Sequence, residues 1–68
     1  MTDEELKALK KAVSSKKRIA TDWASEIHDL VEDRLMTDYN SLPELAQKAV
    51  AACLEWEAAK AEYEQASS

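Results

Sequence analysis

The 68-residue chain has no glycine and no phenylalanine, and only one proline (Pro43), one cysteine (Cys53) and one histidine (His28). Each shortage excludes something. Without glycine, the positive-φ turns of tight β-hairpins and the backbone cradles that hold phosphates lack their usual residue. A single cysteine cannot close an internal disulfide, so the chain is expected in a reducing cytoplasm. Cys53 is read as a small apolar residue buried on an alanine-rich helix face. No run of about 18 apolar residues occurs, so no membrane span is expected. The acidic start Met1-Thr2-Asp3-Glu4-Glu5 lacks the basic opening and apolar core of a secretory signal.

The same scarcity limits chemistry. The one histidine, the one cysteine and the loop serines lie far apart in the helical pattern, so no nucleophile–base pair forms and no enzyme is expected. His28 and Glu32, one helical turn apart, are the weak metal-ligand candidates. One imidazole with carboxylates is a poor set for zinc and similar ions, so neither a metal centre nor a cofactor is expected.

What remains is rich in Ala, Leu, Glu and Lys, a helix-forming composition. The length allows one domain, residues 1–68, near the lower limit for independent folding. Helix one is expected over about residues 3–35. It opens with a capping box in which Thr2 and Glu5 satisfy each other's backbone N–H groups. Its seam runs Leu6, Leu9, Val13, Lys16, Ala20, Trp23, Ile27 and Leu30, in steps that alternate three and four with one polar intruder. Ile19, Val31 and Leu35 widen the stripe beyond a two-stranded seam. A loop follows over about 36–41, where Asp38, Asn40 and Ser41 favour turns. Ser41-Leu42-Pro43-Glu44 forms a second capping box with proline in the first turn.

Helix two is expected over about 42–66. Leu42, Ala49, Trp56 and Tyr63 share one heptad position, and Leu45, Ala52, Ala59 and Ala66 the other, with Ala46 and Cys53 extending the small face. One hairpin cannot cover Trp23, Ile27 and Leu30 together with Leu42, Leu45 and Ala49. The expected fold is therefore all-α: a two-helix antiparallel hairpin that dimerises into a four-helix bundle, or assembles further.

The net charge of −5 disfavours nucleic acid and anionic lipid. A local exception is the basic stripe Lys7, Lys10, Lys11, Lys17 and Arg18 on helix one, the basis of an alternative reading as an RNA-binding bundle. No aromatic residue lies among these cations to stack on a base. A solvated face pairing with Glu55, Glu57, Glu62 and Glu64 of helix two is the preferred reading. Toward the loop the charge turns acidic. His28, Asp29, Glu32, Asp33 and Asp38 are the candidate partner-binding residues, because negative charge at a helix C-terminus opposes the dipole and implies a use elsewhere.

The segment Glu26–Tyr39 resembles the signature of a family of small bacterial proteins called Rop-like, found in nitrogen-fixation gene clusters. His28-Asp29-Leu30, Glu32-Asp33, Leu35 and Asp38-Tyr39 match it, and Leu45-Ala46-Gln47-Lys48-Ala49 resembles the family's second helix. Met36 occupies a position where the family commonly has proline. The similarity extends over roughly residues 5–65. It implies a helical hairpin that dimerises, and an accessory role in nitrogen fixation near nitrogenase maturation or assembly, with a protein partner. The RNA-binding plasmid protein that lends the family its name is similar in architecture, which does not carry function.

Overall fold

The computed structural model describes residues 2–67, which form α1 (Asp3–Asp33), a short α2 (Leu35–Asp38), a 3-10 turn (Tyr39–Ser41) and α3 (Leu42–Ser67). Helices α1 and α3 lie antiparallel in a rod of 51 × 15 × 12 Å. Two contacts fix their register. Lys16 Nζ meets Glu55 Oε2 at 3.7 Å, and Lys48 Nζ sits 5.1 Å from the centre of the Trp23 ring.

At its start, α1 is capped by Thr2, whose hydroxyl accepts from the Glu5 N–H at 3.2 Å. The Glu5 carboxylate makes no return bond, so half of the expected box forms. Asp3, Glu4 and Glu5 occupy the first turn, where the dipole favours negative charge. The last turn has no basic residue to offset the other pole.

The reversal differs from the expected open loop. The helix breaks at Arg34 (φ −134°, ψ 18°), whose N–H still donates to the Leu30 carbonyl at 2.8 Å. The Arg34 carbonyl then accepts from the N–H groups of Thr37 and Asp38 at 3.2 and 2.7 Å, and from the Thr37 hydroxyl at 3.3 Å. Arg34 and Asp38 (φ −119°, ψ 15°) leave helical geometry, and helical turns resume after each. No described residue has positive φ, which is how a chain without glycine turns back on itself. The second cap also differs. Ser41 ends the 3-10 turn, its hydroxyl makes no capping bond, and the Leu42 N–H is taken by the Tyr39 carbonyl.

Both seams face the space between α1 and α3. Leu30 (2 % exposed) and Ala52 (4 %) are buried. Leu6, Leu9, Val13, Lys16, Ala20, Trp23 and Ile27 of α1 are half-buried, as are Leu42, Leu45, Ala49, Trp56, Ala59, Tyr63 and Ala66 of α3. Cys53, expected to be buried, is exposed. It lies one residue past Ala52, so it points to the side of the seam and not across it. Ile19 (40 %) and Val31 (45 %) are also exposed; they widen the apolar stripe past what α3 covers.

Candidate interaction surfaces

The loop end carries the acidic cluster. His28 Nε2 lies 3.2 Å from Glu32 Oε2 and His28 Nδ1 lies 3.7 Å from Asp29 Oδ1, with all three side chains largely exposed. Asp38 is held by Arg34 at 3.7 Å. Asp33 makes no ion pair among the described residues. Of the five candidates for partner binding, His28, Asp29 and Glu32 form one group on the last turns of α1, while Asp38 belongs to a separate pair in α2. Among the described residues, no three His, Cys, Asp or Glu side chains gather closely enough to hold a metal ion.

Beside these carboxylates, Met36 (85 % exposed) and Tyr39 (58 %) project into solvent. A small hollow of about 260 Å³ lies against Val31, Glu32, Arg34 and Met36. Sequence patterning singled out neither Met36 nor Tyr39 as a contact residue. The available signal was their position in a turn, where a large apolar side chain has no helix to cover it.

On α1, Lys7, Lys10, Lys11, Lys17 and Arg18 are all exposed. Among the described residues, the expected pairing with the glutamates of α3 is realised across the hairpin only by Lys16 and Glu55. Lys60 reaches Glu64 at 4.0 Å within α3. Lys10, Lys11, Lys17 and Arg18 lie off the seam, and water screens such surface pairs until little holds the side chains together.

A third surface is an apolar groove along one long side of the hairpin. Its centre is a hollow of about 300 Å³ lined by Lys17, Ala20, Thr21, Ala24, Cys53 and Trp56. A second hollow of about 370 Å³, toward the open end, shares Lys17 and Trp56 and adds Val13 and Tyr63. The Trp56 indole Nε1 is out of reach of water and has no acceptor, an arrangement that costs about 1–3 kcal/mol. Lys60 lies over the same ring, 5.1 Å from its centre. The outer side of α3 continues the apolar character through Val50 (59 % exposed) and Leu54 (60 %). These two residues are four apart, one face of a helix, but fall outside the heptad seam.

No described helix is long and apolar enough to cross a membrane. The profile of the Rop-like family matches residues 4–68, nearly the whole chain. No curated protein and no solved structure matches it.

Proposed function

Because the chain belongs to the Rop-like family, we propose that it is a non-catalytic protein–protein interaction module that works as a homodimeric four-helix bundle in the cytoplasm. Its partner is a protein of nitrogen-fixation metabolism, near nitrogenase maturation or assembly. The assignment to that process rests on the resemblance of Glu26–Tyr39 to the family signature.

One observation favours an interaction role most. The loop end combines unneutralised carboxylates at an unfavourable helix pole with the exposed Met36 and Tyr39 side chains. Both features lower the stability or solubility of an isolated protein, and both suit a basic surface with an apolar recess. Dimerisation is supported by how little the hairpin buries. Two residues of the described chain are buried, too small a core for a chain of this length without a partner.

The test is capture from cells fixing nitrogen, with the tag placed away from the loop. Recovery of nitrogenase or its maturation proteins, lost in a Met36→Ala/Tyr39→Ala variant that still dimerises, is the expected result. Capture of ribonuclease-sensitive material that depends on Lys10, Lys17 and Arg18 would replace this reading with the RNA-binding one.

A further inference from the structure

We propose that the outer face of α3, centred on Val50 and Leu54, is a docking site for an amphipathic helix of a partner protein that carries lysine or arginine at both ends of its apolar stripe. This rests on the reading of the chain as a protein-interaction module, and it uses a face apart from the loop end.

The face is built by helical spacing. Ala46, Val50 and Leu54 follow one another in four-residue steps and form a ridge along α3. Gln47 and Ala51 lie beside them, and the small Ala51 side chain lets the surface fall away into an open hollow of about 430 Å³. All five residues are exposed, Val50 at 59 % and Leu54 at 60 %. The positions that meet α1 are different ones: Leu45, Ala49, Ala52 and Trp56, each half-buried or buried. A bundle built on those seams therefore leaves the outer face in water. Apolar residues scattered singly on a surface need no explanation, but a contiguous strip of them marks a contact. A ridge beside a hollow is the relief into which a second helix packs.

The charge at the ends of the strip selects the partner. Glu44 precedes it and Glu57 follows it, about 20 Å apart along the helix axis. Glu44 is held by Lys48 of the same helix at 3.5 Å. Glu57 is exposed and makes no ion pair among the described residues. By heptad position, the charged side chains turned away from α1 between residues 43 and 64 are Glu44, Glu57 and Glu64, with no lysine or arginine among them. A copy of the same face would set carboxylates against carboxylates, and an anionic lipid surface would be repelled. A helix with a cation at each end meets both carboxylates while its apolar stripe covers Val50 and Leu54.

The size agrees. A strip about 20 Å long and one helix wide, about 10 Å, offers on the order of 200 Å². A standard stable interface takes about 800 Å² from each partner. The face is too small to hold a second hairpin by itself and suits one helix, bound weakly and reversibly.

A probe helix tests this. The probe is a synthetic amphipathic peptide about five turns long, with a stripe of leucine and alanine and lysines about 20 Å apart at its ends. Its control carries glutamates in place of the lysines. Titrated into the isotope-labelled chain up to about 1 mM, the probe should shift the amide NMR signals of Val50, Ala51, Leu54 and Glu57 in a saturable way. Leu54→Gln should weaken binding at least about tenfold, the loss of one buried leucine contact. Glu57→Gln should weaken it several-fold and flatten its salt dependence, while Glu62→Gln, the same charge change at an exposed position off the strip, should leave it unchanged. All three positions are exposed, so the variants keep the fold, which their own spectra check. The absence of saturable shifts below about 1 mM overturns the proposal, as does an equal response to the glutamate control. Shifts confined to Met36 and Tyr39 overturn this face and leave the loop end as the contact. Shifts of the α3 amides with the chain's own concentration, or on adding phosphatidylcholine vesicles, give the face to a further copy or to lipid and overturn the choice of occupant. Failure of capture from nitrogen-fixing cells, with the probe still bound here, removes the nitrogen-fixation partner and not this face.

Discussion

Ala52→Leu tests the packing of the hairpin where it is tightest. Ala52 is 4 % exposed and lies between the two contacts that fix the register, Lys16–Glu55 at 3.7 Å and Lys48–Trp23 at 5.1 Å. The substitution adds three carbon atoms. If they only left water, burial would add roughly 2 kcal/mol of stability. There is no room for them, because Ala52 already packs closely against α1 and the half-buried seam residues on either side would have to move. Overpacking of this kind costs about 1–3 kcal/mol net. In a chain of this size each kcal/mol corresponds to about 4–8 °C in melting temperature. Ala59→Leu is the comparison. Ala59 is half-buried and nearer the open end, where the helices can splay, so its loss should be smaller. Urea unfolding followed by circular dichroism measures both, at several chain concentrations because the proposed dimer would link assembly to folding. If Ala52→Leu lies within about 0.5 kcal/mol of the parent, the small face is not a packed contact and the register is wrong.

Leu30→Ala should be the most costly truncation in α1, about 2–4 kcal/mol, since Leu30 is its most enclosed side chain; a milder effect than Leu6→Ala would show that the loop end carries little of the core. Thr2→Ala should cost about 1 kcal/mol through its lost cap, whereas Ser41→Ala should cost under about 0.5 kcal/mol, because its hydroxyl caps nothing. A reversal of that order in thermal melts would restore the second capping box. Glu32→Gln with Asp33→Asn should leave stability equal or higher by up to about 1 kcal/mol, by relieving charge at the α1 C-terminus. The same pair should weaken partner capture and flatten its salt dependence; unchanged capture across a salt series would assign the cluster to solvation alone.

The seam was legible in the sequence because it depends on period alone. Every position from Leu6 to Leu30 and from Leu42 to Ala66 that the heptad placed inward is half-buried or buried. What failed depended on single hydrogen bonds. Thr2 caps as its type suggests, while Ser41, with an equally good local pattern, ends a 3-10 turn and its hydroxyl makes no capping bond. The loop was legible in part. Asp38, a turn-favouring type, does leave helical geometry, but the first residue to do so is Arg34, whose type gives no warning. Cys53 was placed inside on the habits of cysteine, although its heptad position, one past Ala52, already placed it at the side. The exposed Val50 and Leu54 escaped notice because alanines and leucines surround helix two on every side, so its apolar face has no sharp edge.

That blurred edge bears on what the chain is built for. Helix α1 has a clear division between an apolar seam and a charged exterior, as expected of a helix that meets one neighbour. Helix α3 has none between Leu45 and Leu54, a ten-residue stretch whose polar side chains are Gln47 and Lys48. A helix apolar on several sides is stable in water only when several sides are covered, and in the single hairpin α1 covers one. A second hairpin, as proposed, would cover a further arc. Leu54, 60 % exposed, lies on the side of α3 turned away from α1. The outer edge of α3 is therefore an apolar surface left for something larger. If that edge is used, Leu54→Gln will leave the dimer intact by sedimentation and weaken partner capture; a variant with unchanged capture would leave the acidic loop end as the contact surface.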